Sequence, residues 1–308
     1  MDKTKRKGSK IRVSWSRTLF LIFDHIFLIF TAVICLLPFA NLLAISFSSK
    51  IAVTTGQVSF WPKEFTTAAY QFILATNGQF FRSLLISVER VVIGVPFNLL
   101  MMIMVAYPLS KTSSEFKGRN IYSWFFLITI LFNGGLIPSY MVIRHTGLMG
   151  SIWALIIPGG VNVFNMLVVM NYMRSLPKEL EEAAMIDGAG YIQCLTRVVL
   201  PLSKPTLATV TLFSFVGHWN SWFDGLLYMN KAADYPMSSY LQTVVINPEA
   251  FFRNASDIQG SLSTIIGLIN ARTTNAAQMF LGIIPIMLVY PFLQKYFTTG
   301  LVMGSVKG

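Results

Sequence analysis

Few side chains in this sequence have the types and spacing that chemistry needs. Its three histidines, His25, His145 and His218, stand at no metal-ligand spacing, and no His-Glu-x-x-His occurs. Cys35 and Cys194 form no Cys-x-x-Cys and support neither a disulfide framework nor a metal site. A Gly-x-Ser-x-Gly nucleophile elbow is missing. So is the phosphate-cradling Gly-x-x-x-x-Gly-Lys-Ser/Thr, whose spacing the C-terminal TTGLVMGSVKG does not meet. With no converging catalytic set and no ATP site, the chain reads as a non-enzyme that needs no cofactor.

The segment that stands out is PKELEEAAMIDGAGYIQCLTRVVLPLSKPTLATV, residues 177–210. Pro177 suits a helix N-terminus, and Glu179, Glu181 and Glu182 fall in the first turn, where the helix dipole favours negative charge. Leu180, Ala183 and Ala184 offer a small apolar face, and Asp187 precedes a break at Gly188-Ala189-Gly190, where glycine permits a sharp turn or a close approach. A second short helix, about Tyr191–Val199, should end at Leu200-Pro201. The residues alone predict two short helices lying across a membrane face, and leave open an ordinary amphipathic loop or a dedicated contact surface.

The surrounding elements explain why such a segment is unusual. Hydrophobic residues make up 54% of the 308 and charged residues 12%, about half the charged share usual for soluble domains. That balance implies a membrane protein. The net charge of +11 is concentrated at Lys3, Lys5, Arg6, Lys7, Lys10, Arg12 and Arg17, just before an apolar run. This placement fits an anchor beside anionic lipid and argues against nucleic-acid binding. Hydropathy predicts an all-α integral membrane protein with six transmembrane helices near 19–47, 83–107, 121–143, 152–172, 205–229 and 277–294. The first exceeds the apolar core of a cleaved signal peptide and is read as retained. All are too continuously apolar for transmembrane strands, and no solenoid repeat is visible. With the N-terminus inside, segments 1–18, 108–120, 173–204 and 295–308 hold 16 Lys/Arg in 77 residues, against 7 in the 92 residues of 48–82, 144–151 and 230–278. Both termini and the 173–204 loop are therefore expected in the cytoplasm.

Polar groups within the spans are candidates of a second kind. Asp24 and His25 fit the interfacial start of the first span. Glu89 and Arg90 are sequence neighbours and do not face each other on a helix, so they form no obvious pair; one or both are expected near the outer boundary or against another subunit, and the sequence assigns them no role. Pro158, Gly159 and Gly160 should break the fourth span. Asn162 and Asn165 follow on one face, and the fifth span carries Trp219, Asn220, Trp222 and Asp224, with the two indoles sharing a face. Indole platforms with nearby amides and a carboxylate suit a sugar pathway. Interhelical contacts and interfacial anchoring are the competing readings.

The spacing Glu182-Ala183-Ala184, three residues, Gly188, nine residues, Val198, one residue, Leu200-Pro201 resembles the EAA loop of ABC importer permeases, and it stands between the fourth and fifth of six spans as in that family. AYPLSK (106–111), LFNGGLIPSYMVI (131–143), ALIIPGGVNVFN (154–165) and VGHWNSWFDGLLY (216–228) extend the resemblance to carbohydrate-importer permeases of the maltose-type smaller-permease branch that serves complex oligosaccharides. Arg82-Ser83 departs from the Asn-Ser of many relatives. The resemblance implies the type I importer permease fold. A basic tail (1–18) would precede a first helix with its external loop (19–78), a core permease domain (79–294) containing the coupling loop 173–204, and a cytoplasmic tail (295–308). It implies a bacterial cytoplasmic-membrane protein working with a second permease subunit, two ATP-binding cassette ATPase subunits and an extracytoplasmic solute-binding protein, the last met by loop 230–278. Glu182 would pair with a basic residue of an ATPase, Ala183 and Ala184 would allow close packing, and Gly188 would turn the helix pair, with Asp187, Leu200 and Pro201 completing the coupling set. A permease for a non-carbohydrate solute is the alternative. A secondary transporter, the further alternative, would also explain the spans and polar breaks but predicts inverted internal repeats and transport without an ATPase.

Overall fold

Apolar runs of this length cannot leave backbone groups unpaired in lipid, so the helix is the only spanning element open to them. The computed structural model describes residues 15–76, 78–246 and 267–305 and contains helices and turns, with no strand among the described residues. Helix α1 spans Trp15–Ser46, α2 Lys50–Thr54, α3 Ala68–Thr76 and α4 Gly78–Ser110; α5 (Arg119–Leu131) and α6 (Leu136–His145) follow. Next come α7 (Trp153–Ile156), which runs into a 3-10 turn at Ile157–Gly159, and α8 (Val163–Ser175). Then α9 (Lys178–Ile186), α10 (Tyr191–Cys194), a π turn (Leu195–Val199) and α11 (Leu200–Leu202) lead into α12 (Lys204–Asn220). Helices α13 (Phe223–Tyr228), α14 (Met237–Ile246) and α15 (Ala271–Ser305) complete the described chain. By length and composition, three helices can cross a membrane, and six spans result if each bent pair counts as one.

The expected spans are present, but three are not the continuous helices that hydropathy suggested. Span 121–143 breaks between α5 and α6 with a bend of 119°. There Gly135 takes φ +88, a conformation disfavoured for side-chain-bearing residues, and its N–H is held by the Asn133 carboxamide at 2.8 Å. The fourth span bends by 49° between the 3-10 turn and α8, at the expected Pro-Gly-Gly. The fifth ends as a helix at Asn220 and resumes at Phe223. The second short helix likewise does not stop at Leu200-Pro201: it continues through a π turn to Leu202 and then bends by 82° into α12. A proline inside a helix removes one N–H and crowds the carbonyl four residues back, which widening to π geometry relieves. Finally, α15 runs to Ser305, so the segment expected as the C-terminal tail is helical through 305. Most of the basic tail and the 247–266 part of loop 230–278, including Asn254-Ala255-Ser256, lie outside the described residues.

Helix α4 is the organising element. It packs on α8 and α12, with Met102, Ala106, Met166, Val169 and Val210 buried between them. Helix α1, by contrast, packs chiefly on α15 and exposes almost every large side chain from Leu19 to Phe39. Such an all-round apolar surface belongs in lipid or against another membrane subunit.

Candidate functional site

Two regions bring the singled-out residues together. The first is the 178–202 segment, which meets the 111–118 connection on one face. Helix α9 carries Glu179 and Glu181 in its first turn and has no fully buried residue. It closes in a Schellman arrangement: Gly188 N–H donates to Met185 O at 3.0 Å and Ala189 N–H to Ala184 O at 2.9 Å, with Gly188 at φ +87. A Cβ on Gly188 would meet nothing within 4 Å. The positive φ, rather than close approach, is what requires glycine here. Asp187 is the C-cap and is exposed. Glu182 and Ala183 are exposed, Ala184 is half-buried, and Glu182 has no hydrogen bond or ion pair among the described residues. Around them Leu180, Met185, Ile186 and Ile192 present apolar surface to solvent. Leu200 and Pro201 lie at the far end of this segment, with Pro201 exposed.

Glu181 behaves differently from the solvated first-turn acid that the sequence suggested. Its carboxylate forms an ion pair with Lys111 and accepts a hydrogen bond from the Tyr107 hydroxyl at 3.2 Å. The Lys111 ammonium also lies 4.3 Å from the centre of the Tyr107 ring. The two charged side chains are 18% and 10% exposed, so the pair is largely shielded from water.

The second region is a cavity of about 370 Å³ lined by Arg90, Asn98, Leu155, Asn162, Asn165, Ser214, His218, Asp224 and Tyr228, among others. Arg90 takes a place here that the sequence left open. It lies in the interior at 3% exposure, whereas its neighbour Glu89 is exposed. Its guanidinium has five N–H donors, and each meets an acceptor. Nε donates to His218 Nδ1 at 3.3 Å. One Nη donates to Ser221 O and Asp224 Oδ1 at 3.3 and 3.2 Å, and the other to Leu155 O at 3.2 Å and to Asp224 Oδ2. Since His218 accepts at Nδ1, its proton is at Nε2, which donates to Asn98 Oδ1 at 3.0 Å, so the imidazole is held in one neutral tautomer. The Asn98 amide in turn donates to Gly159 O at 2.6 Å. Gly94 lies between Arg90 and Asn98 on the same face of α4, where a Cβ would fall 2.7 Å from His218 Nε2.

This network accounts for the broken spans. A helix break in a membrane survives only if the freed backbone groups find partners. Here Leu155 O and Gly159 O are satisfied by Arg90 and Asn98 of α4, and Ser221 O by Arg90. From the other side, Ser238 and Ser239 donate to Trp219 O and Trp222 O. Asn162 is the N-cap of α8, accepting the Asn165 N–H at 3.0 Å.

The sequence-selected pathway residues therefore divide. Asn162, Asn165 and Asp224 line the cavity, while Trp219, Asn220 and Trp222 do not. Asp224 serves Arg90 first. Trp219 and Trp222 share no helical face, because α12 ends between them; Trp219 is 4% exposed and stacks on Phe215, and Trp222 stands edge-on to Phe223. Arg90, Asn98 and His218 were missed as a set. The readable signal was Arg90-x-x-x-Gly94-x-x-x-Asn98, one helical stripe placing a charge, a gap and an amide on the interior face.

Comparison with known proteins agrees with this architecture. The chain is 38% identical over 275 residues to Protein LplC of Bacillus subtilis (strain 168), covering 89% of this chain and 90% of that one. It is 36% identical over 284 residues to the polygalacturonan/rhamnogalacturonan transport system permease protein YtcP of the same organism, covering 92% and 96%. The fold superposes with TM-score 0.81 on a chain from the crystal structure of a bacterial ABC transporter that imports the acidic polysaccharide alginate, at 30% identity over 92% of this chain and 98% of that one. The family model for the binding-protein-dependent transport system inner membrane component matches residues 72–302, and the chain belongs to that family.

Proposed function

We propose that this permease forms half of the translocation path for an oligosaccharide and takes its power stroke from separate ATPase subunits through α9. The observation that carries the coupling role is the state of Glu182: a carboxylate on an exposed helix with no partner among the described residues, ringed by exposed apolar side chains. An acid so placed suits a charge-assisted bond to a second protein. The assembly would comprise a second permease subunit, two ATP-binding cassette subunits and an extracytoplasmic solute-binding protein, with both termini and α9 on the cytoplasmic side. Loop 230–278 would meet the binding protein. ATP hydrolysis would belong to the partner subunits, in keeping with the missing phosphate-binding loop. The names of the relatives support an oligosaccharide cargo, as do the neutral amides and hydroxyls of Asn162, Asn165 and Ser214 along the cavity. Arg90 would not read a substrate anion, because its donors are already occupied. The test is binding of a labelled oligosaccharide panel to the cognate solute-binding protein, followed by ATP turnover of the reconstituted assembly. Stimulation by a loaded oligosaccharide supports this function; stimulation only by a non-carbohydrate solute would overturn the cargo assignment.

A further inference from the structure

We propose that Glu181, the residue before Glu182-Ala183-Ala184, is a positioning residue that locks α9 to the end of α4, so that a displacement of α9 moves α4 rather than being lost in the loops. The proposal rests on the coupling role of α9 given above. Helix α9 has no fully buried residue, so general packing does little to fix its orientation. Its packing is chiefly against α10 and the π turn, which belong to the same segment and would move with it. The Glu181 carboxylate is different, because it reaches Lys111 and Tyr107, at the end of the helix that organises the bundle. Tyr107 is 7% exposed, and its ring backs the Lys111 ammonium, so the acceptor, donor and cation are held from two sides. Further along α4, Arg90 and Asn98 hold the breaks of the fourth and fifth spans. A rigid joint at Glu181 would therefore place the cavity wall and the ATPase-facing helix on one lever. Glu182 grips the partner; Glu181 fixes the grip to the bundle.

The test uses spin labels at Glu179→Cys on α9 and Leu100→Cys on α4 of the full chain, in a Cys35→Ser and Cys194→Ala background that removes both native thiols. The distance distribution is read on the isolated chain and on the ATPase assembly before and after trapping with ATP and vanadate. In the parent protein the distribution keeps its mean and width on trapping. Glu181→Gln and Lys111→Met each broaden it about twofold, as a lost local restraint does. The exchanged pair Lys111→Glu with Glu181→Lys narrows the distribution again but stops short of the parent width, because the carboxylate at 111 loses the attraction of the Tyr107 ring, and Tyr107→Phe, which keeps the packing, broadens it less. A parent distribution that shifts on trapping, an unchanged width in Glu181→Gln, or an exchanged pair as broad as the single variants would each overturn the proposal. Failure of the parent chain to retain any ATPase would instead overturn the importer assembly, while the widths of the isolated chain still report on the joint.

Discussion

Replacing Arg90 by methionine should be among the most damaging single changes in the bundle, for a reason that can be apportioned. The guanidinium serves five acceptors: two carbonyls, one imidazole nitrogen and both oxygens of Asp224. Interhelical hydrogen bonds in membrane proteins average about 0.6 kcal/mol, so the neutral acceptors together account for roughly 2 kcal/mol. The Asp224 carboxylate, 23% exposed and robbed of its only ion-pair partner among the described residues, is the larger loss: breaking a buried pair from one side costs about 3–5 kcal/mol. At roughly 2–4 °C per kcal/mol for a protein of this size, Arg90→Met should lower the unfolding midpoint in detergent by about 10 °C or more. Because charge outweighs the neutral bonds, Arg90→Met combined with Asp224→Leu should recover most of the loss. Arg90→Lys, with three donors for five acceptors, should fall between. The assay is thermal unfolding followed by size-exclusion chromatography. A midpoint for Arg90→Met within about 2 °C of the parent, or a double variant worse than the single, would refute this reasoning.

Gly188→Leu should destabilise the end of α9 by roughly 1–2 kcal/mol, the cost of a left-handed conformation for an L residue, and Gly188→Asn by much less. Equal uptake losses for both would show that bulk matters there, contrary to the open space around Gly188. Gly94→Ala should push the His218 ring off Asn98 and cost about 1–3 kcal/mol of thermal stability, with His218→Ala in the same chain relieving the overlap. An unshifted midpoint for Gly94→Ala would mean the ring is not held at that distance.

Much of this arrangement was legible in the sequence, for physical reasons. Spans follow from apolar length alone, and the EAA loop from residue types at fixed spacing, so α1, α4, α9 and Gly188 stand close to where they were expected. Breaks are harder, because Asn133-Gly134-Gly135 and Ser221-Trp222 lie within runs whose average hydropathy still reads as one helix. At the second of these breaks, what stops the helix is hydrogen bonding from elsewhere: Arg90 on α4, and Ser238 and Ser239 on α14, take up carbonyls 17 to 131 residues distant in sequence. Glu181 was misjudged for the same reason. A first-turn acid looks solvated until Lys111, 70 residues earlier, is brought beside it.

The central claim is that α9 is the handle by which a separate ATPase drives this permease, and Glu182→Lys tests it most directly. The tagged parent chain and the variant are purified from membranes expressing the partner subunits, and retained ATPase is measured with vanadate-sensitive hydrolysis. A charge-assisted contact of about 1.5–3 kcal/mol replaced by repulsion predicts roughly 10- to 150-fold weaker retention or more, with the variant still inserted at the parent level. Undiminished retention and hydrolysis in Glu182→Lys, or hydrolysis by the parent chain purified alone, would contradict the account.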